Sequence, residues 1–149
     1  MGTPFSEIID MAMIGIRDYK LDTIYEDDPT VFESIMIGFL LKSVPKFTGC
    51  KQSLAYDLTH STFNSTLDII EIDILADLVG MTWYTAEVQD VLEFKETLRD
   101  SDYNRYSTGQ NLKTRQDYLE MMKENYNQHI IDYQLVDTTQ LPFFKDLGV

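Results

Sequence analysis

Leu67-Asp68-Ile69-Ile70-Glu71 opens the stretch that decides the fold, continuing through Ile74-Leu75-Ala76-Asp77-Leu78-Val79-Gly80-Met81-Thr82-Trp83-Tyr84 and a second helical segment, Val88 to Leu98. Asp68 with Glu71 three residues on reads as a variant capping box, in which a helix-start acid reaches back to an orphan backbone N–H. Ile70, Ile74, Leu75 and Leu78 then mark one apolar face, and Ile69, Ile72 and Val79 widen it into a core helix. Gly80 and the run from Thr82 to Thr85 lower helix propensity, which predicts a kink or break near Trp83. Trp83 reads as a core or interface anchor rather than a stacking platform for a ligand. A polar, Tyr-rich break covers residues 100–107, and one long amphipathic helix follows over residues 109–133. Its apolar stripe is Leu112, Leu119, Met122, Tyr126, Ile130 and Tyr133; the opposite face holds Lys113, Asp117, Glu120, Lys123 and Glu124. At 1.5 Å per residue this helix runs about 37 Å.

Toward the N-terminus the same periodicity recurs. Thr3 is placed to cap a first helix with Pro4 at its first position, where proline's missing N–H costs nothing. Phe5, Ile8, Ile9, Ala12 and Ile16 follow at helical spacing. Residues 17–20 end that stripe and residues 22–28 read as a polar loop. Asp28-Pro29 repeats the cap-plus-proline start for a helix carrying Val31, Phe32, Ile35, Met36, Ile37, Phe39, Leu40 and Leu41. That helix is apolar on nearly all sides, which predicts a central position. Pro45 and Gly49 bracket its exit. Over residues 44–66, Leu54, Tyr56 and Leu58 alternate with Ala55, Asp57 and Thr59, the period of a short strand or extended arm. Such a segment either reaches a neighbouring subunit or hugs its own surface, pinned by Phe47 and Phe63.

Past Tyr133 the helical pattern stops. Residues 136–149 are turn formers carrying Leu141, Pro142, Phe143, Phe144 and Leu147. Burying large apolar side chains yields about 1.5–3 kcal/mol each before ordering entropy is subtracted. The tail is thus expected to dock, on its own domain or on a partner; sixteen extended residues reach up to roughly 50 Å. The expected architecture is mainly α. Residues 1–133 form a single compact bundle of four to five helices, with a long C-terminal amphipathic helix and an extended loop or short hairpin near 44–66. Residues 134–149 form an extended C-terminal docking tail.

Composition sets the outer bounds. The chain has 149 residues, 44% of them hydrophobic and 12% aromatic, enough for one domain with a real core. The single cysteine, Cys50, excludes an intramolecular disulfide framework and a cysteine-rich zinc site, and reads as an inert packing residue. The N-terminus lacks the basic region of a signal peptide, and the longest apolar run, Ile35 to Leu41, is far short of the roughly 20 residues of a membrane span. A soluble protein made in a cytoplasm is expected. Acids outnumber bases 25 to 12, for a net charge of −13 spread along the whole chain. Such a surface repels a phosphate backbone, since high-affinity DNA binding needs several Lys and Arg to displace counterions. Three readings are open: simple solubility, a surface that DNA passes without sticking, or a DNA mimic that blocks a nuclease.

No catalytic constellation is visible. His60 and His129 lie far apart and neither belongs to a metal-binding spacing such as H-E-x-x-H, so both read as surface or boundary residues. Glu26-Asp27-Asp28 lacks the alternating ligands and glycine of an EF-hand and reads as an acid cluster at a helix start. Phosphate-binding glycine loops and the nucleophile elbow are absent from the sequence. No enzyme activity, cofactor or metal is expected.

The helix order resembles that of the small head–tail connector proteins of tailed bacteriophages, the adaptor, head-completion or neck proteins. The resemblance rests on an E-x-x-I-L-A helix (Glu71, Ile74, Leu75, Ala76), an apolar Met/Trp segment (Met81 and Trp83, slightly offset) and a polar start to the terminal helix (Ser107 to Leu112). It covers about 70 of the 149 residues and is a pattern of helices, not a catalytic signature. It implies a structural virion protein at the head–tail interface, assembled in the host cytoplasm as a homo-oligomeric ring, of 12 copies if the family pattern holds. Its implied partners are the portal protein and the next neck or tail-completion protein, with genomic DNA passing through unbound and no membrane contact. It also implies that the tail (Leu141, Pro142, Phe143, Phe144, Leu147) grips the portal. Were the last helix to line the channel, Asp117, Glu120 and Glu124 would face DNA; an ordinary solvated face is the other reading. The rival function is a small acidic phage protein that binds and inhibits a host nucleic-acid-binding enzyme.

Overall fold

In the computed structural model, residues 2–16, 19–97 and 105–135 are described. One half of the capping box at Asp68 forms: the Asp68 N–H donates to Glu71 Oε2 at 2.9 Å, and the helix α4 runs from Ile69 to Thr97. Satisfying that donor turns Glu71 inward, where it is 1% exposed, and rolls Ile69 and Ile70 outward, 73% and 41% exposed. These two isoleucines are therefore not part of the core face. Ile72, Ile74, Leu75, Ala76, Leu78 and Val79 are.

The expected break at Trp83 does not occur; α4 is continuous for 29 residues. The Thr82 and Thr85 hydroxyls bond back to the carbonyls of Leu78 and Met81, each at 2.8 Å, so both threonines satisfy their polar groups inside the helix. Thr82 Oγ1 also meets Ser43 Oγ at 3.1 Å and accepts from Lys46 Nζ at 3.3 Å, tying the preceding segment to this point. Gly80 sits under a crossing helix, where an added Cβ would lie 3.3 Å from Met122 Cε. Packing on both sides overrides the weak local propensity.

Helix α1 spans Phe5–Gly15 and buries Phe5, Ile8, Ile9 and Ala12. Thr3 does not cap it: Pro4 is the N-cap residue and makes no side-chain bond. Instead Thr3 Oγ1 accepts the Leu67 N–H at 2.8 Å, while its backbone pairs with Ser65 and Phe63, so the chain start lies against the approach to α4. Gly2 sits so close to this segment that a Cβ there would fall 1.6 Å from the Phe63 carbonyl oxygen. Only glycine fits.

The stretch read as a polar loop is helix α2, Tyr19–Asp27. Leu21 is buried, Ile24 packs partly on the core, and Tyr25 meets Phe32 edge-on at 5.2 Å. An i, i+3, i+4 apolar set was enough to dock a short acidic helix. Asp28 caps α3 (Pro29–Ser43) as expected, accepting from the Thr30 and Val31 N–H groups at 3.0 and 3.4 Å. Only the stripe Phe32, Met36, Leu40 and Ser43 is buried, with Val31 47% exposed. Thus α3 lies at the side of the bundle, and the central position belongs to α4, which packs against α1, α3 and α5.

Between α3 and α4 the chain makes a short 3-10 turn (Val44–Lys46), turns at Gly49 (φ +87°), and forms a small antiparallel hairpin. Its strands, β1 (Tyr56–Asp57) and β2 (Thr62–Phe63), pair Tyr56 with Phe63 and Asp57 with Thr62. Phe47 and Phe63 are buried, and Phe63 meets Phe5 edge-on at 5.1 Å, so the segment hugs its own domain. Helix α5, Arg105–Leu135, starts earlier than expected and runs two residues past Tyr133; its 31 residues give about 46 Å. Gln134 and Leu135, expected in the tail, thus belong to α5. The tail residues Leu141, Pro142, Phe143, Phe144 and Leu147 lie outside the described residues. Among the described residues no helix is long and apolar enough to cross a membrane.

Candidate functional site

The informative surface is the seam where α5 lies on α4, together with the outer face of α5. Leu119, Met122, Tyr126 and Ile130 are half-buried and Tyr133 is buried, so the predicted stripe is the packing stripe; the side chain of Leu112 lies outside the described residues. Asp117, Glu120 and Glu124 are all exposed on the opposite side, with no ion-pair partner among the described residues. Tyr118 and Met121, 37% and 45% exposed, stand beside them. Both of these also border the cavity between α1, α4 and α5, so the outer face of α5 itself is charged, its acids outnumbering Lys113 and Lys123.

At the C-terminal end of the seam, Tyr133 reaches across to the buried carboxylate of Glu71, donating to Oε1 at 2.8 Å. The same hydroxyl accepts the Lys51 N–H at 2.8 Å, and the Lys51 ammonium lies 4.7 Å from the ring centroid. Burial raises the Tyr133 pKa, and the adjoining carboxylate adds to the effect, so the phenol stays protonated and donating. Burial likewise pushes the Cys50 thiol up, which removes the thiolate a nucleophile needs. This cluster joins the 44–66 segment, the start of α4 and the end of α5 by satisfied hydrogen bonds. It has the chemistry of a fastening, not of a reaction.

One helical turn away, Asp73 and Asp77 flank His129. Nδ1 lies 3.0 Å from Asp77 Oδ2 and Nε2 lies 3.3 Å from Asp73 Oδ2. Burial raises the Asp77 pKa, with the neighbouring Asp73 charge acting in the same direction and the His129 hydrogen bond against it. Both carboxylates line a cavity of about 170 Å³ between α1, α4 and α5, whose wall also includes Met11, Met81, Met121 and Met122. Sequence reading missed this trio. Its legible half was Asp73-x-x-x-Asp77, but the third member is 52 positions from Asp77 and arrives only through the α4–α5 packing.

The remaining candidates fall apart spatially. Trp83 is 6% exposed in the core, edge-on to Tyr84 at 5.0 Å. His60 stays at the surface, 2.6 Å from Asp57, whose carboxyl it holds below its ordinary range. Glu26, Asp27 and Asp28 do not form one helix-start cluster: the first two close α2 and only Asp28 caps α3. Comparison with protein-family models, curated proteins and solved structures finds no significant match to the chain.

Proposed function

We propose that this protein is a head–tail connector of a tailed bacteriophage: a structural subunit that forms a ring below the portal, extends the DNA conduit and offers a platform to the next neck or tail protein. The observation that carries the reading is α5. A helix of about 46 Å packs along one stripe only and turns toward solvent a row of acids, Asp117, Glu120 and Glu124, that outnumbers the lysines on the same face, Lys113 and Lys123. Repeated around a ring, that row would line a tunnel that repels phosphate, so that DNA slides rather than sticks. The exposed Ile14, Leu58, Ile69 and Ile131 offer apolar surface for subunit contacts. The fastening of α5 to α4 through Tyr133 and Glu71 supports a mechanical role, because it ties the end of one long helix to the start of the other. Ejection is the test. Virions carrying Asp117→Lys, Glu120→Lys and Glu124→Lys together are expected to assemble and package, then release DNA more slowly and with stronger dependence on salt. Unchanged ejection kinetics at low and high salt would remove these acids from the lumen.

A further inference from the structure

Asp73 and Asp77 stand at i and i+4 on α4, so their carboxylates share one face. They are 41% and 42% exposed, and the basic side chain set against them among the described residues is His129. Nδ1 of His129 meets Asp77 Oδ2 at 3.0 Å, and Nε2 lies 3.3 Å from Asp73 Oδ2, so one imidazole stands between two carboxylates. Only the Nδ1–Asp77 contact has hydrogen-bond geometry; the Asp73 carboxylate stands beside the ring without a bond to it. An imidazole and two carboxylates drawn together from two helices are a donor set that suits a divalent ion.

We propose that Asp73, Asp77 and His129 bind one divalent transition-metal ion, of the Zn²⁺ or Mn²⁺ class, which bridges α4 to α5. One donor atom from each residue already lies within 4.8 Å of the others. Metal–ligand bonds of about 2.0–2.2 Å put neighbouring ligand atoms roughly 3.0–3.5 Å apart in octahedral or tetrahedral geometry. The Nδ1–Asp77 separation of 3.0 Å falls in that window, while Asp73 stands nearer the other ring nitrogen, at 3.3 Å. Capture at Nδ1 therefore needs the Asp73 carboxylate to swing toward that nitrogen. One imidazole nitrogen with two carboxylate oxygens suits a borderline ion; Ca²⁺ and Mg²⁺ gain little from nitrogen, and Cu(I) prefers sulfur. The cavity alongside, about 170 Å³ and walled by both aspartates, has room for the water that completes a three-ligand site. A chain of net charge −13 gathers cations loosely over its whole surface, and the imidazole is what distinguishes a built site from that atmosphere. The proposal is independent of the connector reading.

The test is calorimetric titration of the metal-free, full-length protein with zinc sulfate, alongside His129→Gln and Asp73→Asn, each checked for helical content by circular dichroism. One ion per chain is expected, bound more weakly in either variant by at least the ~10–100-fold that loss of a ligand's supporting partner costs. His60→Gln should bind as the parent does, and magnesium should show no such site. The melting temperature should rise with zinc in the parent and not in His129→Gln. Two results overturn the proposal. One is zinc binding that both variants leave intact, which is condensation on an acidic surface. The other is no saturable binding at all, which leaves the trio as ordinary polar groups at the helix seam.

Discussion

Tyr133→Phe is the substitution whose cost the structure defines most closely. It removes a single oxygen and keeps the ring, so the contact with Phe47 at 5.8 Å between centroids and the Lys51 ammonium above the ring are retained. Two partners lose their bond: Glu71 Oε1, on a side chain 1% exposed, and the Lys51 N–H. A hydrogen bond to a charged group contributes about 1.5–3 kcal/mol, and a half-buried amide adds about 0.5–1.5. The expected loss is about 2–4 kcal/mol, or roughly 5–15 °C in melting temperature for a chain of this size. Urea and thermal denaturation followed by circular dichroism measure it directly. A double-mutant cycle with Glu71→Gln should return a coupling energy of about 0.5–3 kcal/mol between the two positions. A loss below ~0.5 kcal/mol, the range of an ordinary surface change, would mean that water already reaches Glu71 and that the fastening is not there.

Other substitutions report on single features of the fold. Gly2→Ala should destabilise measurably in a thermal melt, because its Cβ meets a backbone carbonyl that cannot step aside. Gly80→Ala is expected to be neutral or stabilising by up to ~1 kcal/mol, since the tight neighbour is the flexible end of Met122 and helix propensity improves. Gly80→Leu should instead lower stability by forcing α5 off α4. Asp28→Ala removes the two-donor cap of α3 and should cost about 0.5–2 kcal/mol in chemical denaturation.

The helices were legible where local chemistry and periodicity agreed. The Asp28 cap, the Asp68/Glu71 box and the stripe from Leu119 to Tyr133 follow from spacing alone, because each is a bond or a face within one element. The errors arose where distant partners decide. Thr3 looks like a cap in sequence, but the Leu67 N–H across the fold uses its hydroxyl. Gly80 and the threonines after it look like a break, yet α5 packs over the glycine and the threonine hydroxyls bond back into their own helix. Residues 22–28 look polar enough for a loop, but Leu21 and Ile24 supply the few apolar contacts a short helix needs. Of the site, the acid row on α5 could be read from the 3.6-residue period. The Asp73–His129–Asp77 trio and the Tyr133–Glu71 bond could not, because both depend on how two helices align over a separation of more than 50 residues.

The connector reading turns on one mixture: the purified protein with the portal protein encoded in the same genome, imaged by negative-stain electron microscopy and weighed by mass photometry. A ring of this protein stacked on the portal in fixed stoichiometry, lost when residues 141–149 are removed, is the predicted result. A protein that stays a monomer and ignores the portal contradicts it, and directs attention to a basic host enzyme as the partner of its acidic surface.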